Sequence, residues 1–240
     1  TLITAFMATA VKAGVLIAFL RVFLGGLGSL SVVWVQVLVW LAILTVAVGN
    51  LTALKQTSIK RLLAWSAIAH AGYLLIGLLV SPDSLEQGQT VLFYLVPYAL
   101  MNCGAFLLAI QLEQSDGGYE LEHYKGLGTR HPLAALLMTI FMLALAGIPP
   151  TAGFIGKFYI FQAAVETGHV PLTIVAVLFA LISVYYYMRV VVYMYFHTGT
   201  GQTFRLPPGV TIATSVAALA VLLLGVLPGL LLRFTTLVTF

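Results

Sequence analysis

The sequence contains very little charge. Lysine, arginine, aspartate and glutamate make up 8% of its 240 residues, whereas hydrophobic residues make up 61%. A soluble domain carries about 25% charged residues, so this composition excludes a soluble globular protein and indicates a membrane protein. The formal net charge of +4 comes mostly from the segments between apolar runs. It therefore indicates membrane topology, and we expect the lipid bilayer, not a nucleic acid, as a partner.

Cysteine is almost absent as well. Cys103 is the only one, and a single thiol can neither ligate an iron–sulfur cluster nor close an internal disulfide. The sequence also lacks a phosphate-binding loop, a zinc-ligand spacing and a nucleophile elbow. We therefore expect no redox chemistry within this chain, no metal site and no cofactor bound by it.

Long apolar runs are what the sequence has in abundance. A run of about 20 residues is enough to cross a bilayer, and seven segments meet that length. They are 2–24, 31–54, 59–80, 88–112, 131–165, 170–197 and 208–232. Glycine-rich or polar stretches separate several of them, at 25–29, 55–58, 81–84 and 199–208. The sequence thus predicts an all-α membrane protein, a polytopic bundle of about seven transmembrane helices.

The fifth apolar segment is too long for one straight crossing. At 1.5 Å per residue it would reach about 52 Å, against a hydrocarbon core of about 30 Å. Gly147, Pro149 and Pro150 lie within it, and proline removes a backbone donor that a continuous helix needs. We therefore predict two half-helices with a break at 147–150, and the freed backbone groups must face protein or a wet cavity.

The longest polar segment is 113–130. It is too short for a soluble domain, and we interpret it as a surface loop that includes a short interfacial helix. Basic residues concentrate in the second, fourth and sixth connections, which the positive-inside rule assigns to the cytoplasm. These residues are Lys55, Lys60, Arg61, Lys125, Arg130 and Arg205.

Two lysines lie far from both ends of their predicted spans. Lys12 has about ten apolar residues on either side, and Lys157 follows Pro150 by seven residues. An ionisable residue at membrane depth is costly and marks a functional site by default. The alternatives are that Lys12 snorkels to an interface, and that Lys157 reaches back to water from a half-helix beginning near Thr151. A broken helix beside a buried amine favours an ion or proton pathway.

His70 lies about ten residues into the third span. An imidazole exchanges a proton near neutral pH, so beside two buried lysines His70 is a candidate relay group. The alternative is a neutral histidine bonded to a neighbouring helix. Lys60, with the break residues Pro149 and Pro150, is a supporting candidate, although the positive-inside rule alone explains Lys60.

Other polar residues within the spans are weaker candidates. Arg189 follows the tyrosines 185–187, which could supply hydroxyl groups, but we interpret it as lying close to an interface in an aromatic belt. Tyr98 and Asn102 are possible polar links between helices.

No aspartate or glutamate lies deep within any predicted span, so Lys12 and Lys157 lack an internal carboxylate partner. Removal from water disfavours the charged form of an amine, which makes a buried lysine able to exchange protons. The chain begins at Thr1, in an apolar segment, without the basic start of a signal peptide. We expect an internal or C-terminal piece of a longer protein. Carboxylate partners would then belong to the absent part or to another subunit.

Three motifs carry a family resemblance: 8–12, which ends in Lys12; 49–73, which contains His70; and 145–159, which contains the break and Lys157. Together they resemble the antiporter-like membrane subunits of respiratory complex I, the NADH–quinone oxidoreductase, over essentially the whole chain. Within that family the resemblance is closest to subunit N. The position that Lys157 occupies is usually Glu in subunit M. In subunit L acidic residues typically follow that lysine, whereas Phe158 and Tyr159 follow it here.

The resemblance implies an organisation and a set of roles. Residues 1–24 would be the last helix of a first inverted repeat, 31–197 a second five-helix repeat, and 208–232 a C-terminal transmembrane helix. Lys12 would be the central proton donor and acceptor, His70 a link, and Lys157 the terminal group before release. The family's glutamate and further lysine on earlier helices have no counterpart here, so this chain alone cannot build an inlet half-channel.

The resemblance also implies a setting. The chain would be a translocating subunit in the bacterial inner membrane, or an equivalent energy-transducing membrane, beside other membrane-arm subunits that include a second antiporter-like one. NADH, FMN, iron–sulfur clusters and quinone would bind other subunits. Two alternatives stay open: a subunit of a multisubunit cation–proton antiporter, and a scaffold whose lysines serve only assembly.

Overall fold

The structure is a computed structural model and describes residues 1–27, 30–79, 85–116, 118–199 and 206–230. Within these ranges the chain forms ten α-helices. They are α1 (Leu2–Phe6), α2 (Lys12–Leu20), α3 (Ser31–Leu54), α4 (Ile59–Leu79), α5 (Leu85–Asp116), α6 (Leu127–Arg130), α7 (Pro132–Ala146), α8 (Ala152–Glu166), α9 (Val170–Phe196) and α10 (Pro208–Val226). Segments Met7–Val11 and Arg21–Gly26 are π-helical and extend α1 and α2, and Leu121–Tyr124 is a 3₁₀ turn.

The predicted all-α membrane fold is confirmed. Six helical segments of the described chain are long and apolar enough to cross a membrane, and α7 is a shorter apolar helix. Exposed side chains on the outer helices are large and apolar, as Leu181 on α9 and Ile212 on α10 illustrate. Such a surface is stable against lipid, because hydrocarbon does not penalise exposed apolar groups as water does.

The predicted spans coincide with the observed helices and differ from them by only a few residues at their ends. Helix α3 covers the predicted 31–54, whereas α5 extends beyond the predicted 88–112 in both directions. Helix α10 ends at Val226, short of the predicted 232, because Leu227 precedes Pro228 and a residue before proline avoids the helical conformation. The predicted separators at 28–29 and 81–84, Arg205 and positions 231–232 lie outside the described residues.

Helix α4 is the central helix. It packs against α2, α3, α5, α8 and α9, and most of its side chains are buried. Its approach to α3 is very close: a Cβ added at Gly49 would lie 2.5 Å from the backbone N of Ala69, and one at Gly72 would lie 2.9 Å from the backbone N of Val46. Glycines at such contacts let membrane helices pack backbone to backbone. This packing holds the middle of α4, where His70 lies, away from the surface.

The predicted break in the fifth segment is confirmed. Helix α7 ends at Ala146, α8 begins at Ala152, and the Pro149-Pro150 peptide between them is cis. Both prolines are exposed, at the turn. Helices α7 and α8 are therefore separate half-helices, and the C-terminal carbonyl groups of α7 are available to side chains from α8.

The predicted surface loop at 113–130 contains two short helical pieces, Leu121–Tyr124 and α6. It folds back on the start of α4, where the N–H of Ile59 donates to the carbonyl of Tyr119 at 2.8 Å. The Arg130 guanidinium donates to the carbonyls of His123 and Lys125 at 2.9 and 3.0 Å. These bonds connect the loop to the start of α4 and join its last residue, Arg130, to the backbone around the 3₁₀ turn.

Candidate functional site

Lys12 lies at the first residue of α2, directly after a π-helical turn. Its Nζ donates to the Tyr98 hydroxyl at 2.9 Å and to the carbonyl of Ala67. The same Nζ lies 4.6 Å from the centroid of the Tyr98 ring. The side chain thus points into the bundle toward α4 and α5, and does not snorkel along the outside of its own helix.

Lys157 lies in the second turn of α8 and is 4% exposed. Its Nζ donates to the backbone carbonyls of Leu145 and Ala146, both at 2.9 Å, at the C-terminal end of α7. It also lies 5.3 Å from the centroid of the Tyr73 ring. The amine therefore does not reach back to water but turns toward the end of the preceding half-helix.

The end of α7 is built to receive that amine. Gly147 adopts a left-handed conformation, with φ of 82°, and its N–H donates to the carbonyl of Ala144 at 3.1 Å. The N–H of Ile148 donates to the carbonyl of Leu143 at 3.0 Å. This pair of bonds is the Schellman motif, which satisfies the carbonyls two and three residues before the helix end. The last two carbonyls remain for Lys157, at the negative end of the helix dipole.

His70 is 2% exposed and lies among tyrosines. Its Nδ1 shares a hydrogen bond with the hydroxyl of Tyr94, and its Nε2 shares one with the hydroxyl of Tyr187 at 3.2 Å. The ring centroids of Tyr98 and Tyr73 lie 5.2 and 5.9 Å from that of His70. Because Tyr98 binds Lys12 and Tyr73 lies beneath Lys157, His70 is connected to each lysine through one tyrosine.

The sequence patterns did not predict the cluster of tyrosines that surrounds His70. Five fully buried tyrosines meet there, from α4, α5 and α9: Tyr73, Tyr94, Tyr98, Tyr186 and Tyr187. Asn50 on α3 joins two of them, because its Oδ1 accepts from Tyr186 at 3.0 Å and its Nδ2 donates to Tyr73 at 3.3 Å. A signal was present: spacings of three and four residues place His70 beside Tyr73 and Tyr94 beside Tyr98 on one helix face.

The described residues give neither buried lysine a carboxylate. The one ion pair among them joins Lys125 and Glu122 on the surface loop, where the carboxylate raises the pKa of Lys125. Lys12 and Lys157 instead use neutral acceptors, namely backbone carbonyls and a phenol oxygen. The acceptors that the structure shows for the two amines therefore carry no net charge.

Comparison with known proteins identifies the group of proteins that share this arrangement. Residues 1–183 match the family described as NADH:quinone oxidoreductase/Mrp antiporter, TM. The chain belongs to this antiporter family. The resemblance drawn from the segments around Lys12, His70 and Lys157 is therefore confirmed.

Individual relatives agree with the family assignment. The chain is 44% identical to the NADH-quinone oxidoreductase subunit N of Trichlorobacter lovleyi over 98% of its own length and 48% of that protein. It matches a chain of respiratory complex I from Thermus thermophilus at 35% identity and a TM-score of 0.71, over 82% of this chain and 45% of that one. A chain of the Mrp complex from a Dietzia species shares the fold, at 20% identity and a TM-score of 0.80, over 92% and 49% of the two chains.

The antiporter-family chain thus spans about half the length of the curated relatives that it matches. The half that it contains includes both lysines, the histidine and the helix break.

The remaining predicted residues lie apart from these three. Lys60 places its Nζ 5.0 Å from the centroid of the Tyr119 ring, beside the surface loop. Pro149 and Pro150 form the exposed turn of the break and leave the contact with Lys157 to the end of α7. Lys60 thus lies beside the surface loop, and the two prolines lie at the turn between the half-helices.

Arg189 and Asn102 have different outcomes. The Arg189 guanidinium donates to the carbonyls of Leu54, at 3.1 Å, and of Gln56, at the C-terminal end of α3. This agrees with a position near the end of a span, although backbone carbonyls take the place of tyrosine hydroxyls. Asn102 is fully buried on α5, and its side-chain amide makes no hydrogen bond with the described residues. The predicted link through Asn102 is therefore not formed among the residues that the structure describes.

Proposed function

We propose that this chain forms part of a membrane-arm subunit of NADH–quinone oxidoreductase and carries protons between helices through Lys12, His70 and Lys157. The observation that carries the proposal is the placement of two amines inside the bundle on neutral acceptors, with a buried histidine between them. An amine held by neutral acceptors can lose its proton without leaving a carboxylate unpaired. An imidazole can accept that proton and pass it on.

The proposed roles follow from the contacts. Lys12, reached from the side of α1 and α2, is the central donor and acceptor. His70 is the link, because its two ring nitrogens face hydroxyl groups from two different helices. Lys157 is the terminal group, since it lies at the break and beside a cavity of about 210 Å³. Tyr98 contacts both Lys12 and His70, and Tyr73 contacts both Lys157 and His70, so each lysine is linked to the histidine through one ring.

The proposal extends to the organisation of the chain. Residues 1–24 complete a first inverted repeat, 31–197 form a second five-helix repeat, and 208–232 form the C-terminal helix. The partners are other membrane-arm subunits, including a second antiporter-like subunit, in a bacterial inner membrane. NADH, FMN, iron–sulfur clusters and quinone belong to other subunits. The inlet half-channel and any carboxylate partner come from outside this chain.

The test uses arginine substitutions in the full-length subunit, within the assembled complex. Arginine keeps the charge and the hydrogen-bond donors but stays protonated, so it supports a scaffold and stops a relay. We expect Lys12→Arg and Lys157→Arg to assemble but to lower proton uptake by inverted membrane vesicles by at least about tenfold, since arginine holds its proton several pKa units more tightly than a functional relay requires. Lys55→Arg, an exposed change in a loop, is the matched control.

The outcomes distinguish the candidate functions. Variants that assemble and pump at the control rate would exclude the relay and favour the scaffold. A second candidate, a cation–proton antiporter, is favoured by the fold shared with the Mrp complex. Proton uptake that requires a sodium gradient and continues without NADH oxidation would support that candidate, whereas strict dependence on NADH oxidation would oppose it.

A further inference from the structure

Tyr94 on α5 contacts both His70 on α4 and the backbone of α8. Its hydroxyl shares a hydrogen bond with Nδ1 of His70. Its ring lies against the backbone of α8, because a Cβ added at Gly156 would be 2.2 Å from the ring Cδ2 and 3.0 Å from Cε2. Gly156 is the residue before Lys157, so one rigid side chain contacts both the histidine and the lysine-bearing half-helix.

The neighbouring tyrosines have other hydrogen-bond partners or belong to other helices. The Tyr98 hydroxyl accepts from Lys12 and donates to the carbonyl of Ala8 at 3.0 Å. Tyr187 binds the other nitrogen of His70 but belongs to α9. Tyr73 lies beneath Lys157, and its hydroxyl accepts from Asn50. Tyr94 therefore joins a hydrogen bond on His70 to a backbone contact on α8, whereas Tyr73 contacts His70 and Phe161 of α8 through its ring.

We infer that Tyr94 is a positioning residue that couples the orientation of His70 to the position of the half-helix carrying Lys157. The inference rests on the proposed function. The Tyr94 ring is rigid, it extends from α5 and packs against α8, and its hydroxyl lies at the far end of the ring. A displacement of α8 at the break therefore moves the hydroxyl relative to Nδ1 of His70. The histidine thereby receives or loses its partner according to the state of the Lys157 region.

Glycine at position 156 is part of this device. The tyrosine ring occupies the space where any larger residue would place its Cβ. Alanine at this position must push the ring away from α8, and the hydroxyl moves with it. Gly156→Ala and Tyr94→Phe should therefore disturb the same contact on His70, one by displacement and the other by deletion.

The chain offers a matched control for the hydroxyl. Tyr159 on α8 packs edge-on against Phe93 of α5, with ring centroids 5.3 Å apart. Tyr159→Phe thus removes a hydroxyl from the same pair of helices without touching His70. We expect Tyr94→Phe to lower proton uptake per assembled complex by about three- to tenfold, as the loss of one buried hydrogen bond implies, and Tyr159→Phe to leave it unchanged.

The second readout is the pH profile of proton uptake, which a purely structural role would not move. His70 is surrounded by Tyr73, Tyr94, Tyr98 and Tyr187, and the cations that act on it are Lys12 and Lys157. Removing the Tyr94 hydroxyl changes the partner of Nδ1, so the pH at half-maximal uptake should shift in Tyr94→Phe. In a His70→Asn background, Tyr94→Phe should add no further loss, because both changes act at one contact.

Three results would overturn the inference. They are a pH profile of Tyr94→Phe that coincides with that of Tyr159→Phe, a Gly156→Ala variant that pumps normally, and losses from Tyr94→Phe and His70→Asn that simply multiply. Failure of the proposed function gives a different result, because Lys12→Arg and Lys157→Arg would then pump normally. If those two variants fail to pump while Tyr94→Phe behaves as its control does, only the coupling is wrong.

Discussion

Gly153 is the position where a single methyl group should separate the two half-helices. It lies near the start of α8, and a Cβ built on it would be 1.8 Å from the carbonyl oxygen of Ala144 in α7. Real Cβ atoms essentially never approach closer than 3.0 Å, so Gly153→Ala requires a separation of at least about 1.2 Å. The obstacle is a backbone oxygen, which a rotamer change cannot remove.

The separation should break the contact that holds Lys157. The lysine lies one turn after Gly153, and its Nζ is 2.9 Å from the carbonyls of Leu145 and Ala146. A retreat of α8 by about 1.2 Å would carry the amine to roughly 4 Å, beyond hydrogen-bond range. Alanine is a better helix former than glycine by about 1 kcal/mol, but overpacking typically costs about 1–3 kcal/mol. The cost of the clash therefore equals or exceeds the gain in helix propensity.

Activity is the more sensitive readout of this change. A hydrogen bond to a charged group contributes about 1.5–3 kcal/mol. Loss of even one should therefore change the equilibrium between the bound and the released amine by about tenfold or more. We expect Gly153→Ala, in the full-length subunit of the assembled complex, to lower proton uptake into inverted vesicles by that factor. Quinone reduction measured in uncoupled membranes should fall less.

The control is Gly209→Ala, in the first turn of α10, where an added Cβ meets nothing within 4 Å. The two substitutions have the same chemistry, and only one meets an obstacle. If Gly153→Ala assembles and pumps as Gly209→Ala does, then the close contact between the half-helices is not needed to hold Lys157.

Two further substitutions test the packing around the site. Gly104→Ala should destabilise the assembled complex by about 1–3 kcal/mol, because its Cβ would lie 2.2 Å from the ring of Phe141, and Phe141→Leu in the same chain should restore part of the loss of thermal stability. Arg189→Gln should lower the temperature of thermal inactivation, because it removes a guanidinium from the carbonyls of Leu54 and Gln56; Arg189→Lys should recover only part, since an ammonium lacks the planar fork.

Much of the architecture follows from composition and helix-breaking residues. Apolar runs gave the spans because each helix must satisfy its own backbone in lipid. Pro149 and Pro150 located the break because the segment was too long to cross once. The depth of Lys12 and Lys157 followed from the same count of residues along each span. These properties are local, and a sequence states them directly.

The contacts of the site could not be predicted in the same way. Lys157 binds carbonyls eleven and twelve residues earlier, which requires knowing how α8 folds back on α7. Tyr94 and Tyr187 reach His70 from helices that lie 24 and 117 residues away along the chain. Tyrosine is common in membrane proteins at interfaces, so its presence alone does not indicate a buried ring. Helix packing decides which tyrosines are inside.

The hydrogen-bond acceptors of the two lysines are suited to amines that are held in place and yet, on the proposed function, release a proton. A carboxylate partner would bind an ammonium strongly, and releasing the proton would leave a buried negative charge, which is costly. The carbonyls at the end of α7 carry only partial charge, concentrated there by the helix dipole. They stabilise the protonated form of Lys157, yet they remain neutral when the proton leaves. The break in the fifth segment therefore supplies what a carboxylate cannot: an acceptor with no net charge to be left unpaired when the proton leaves.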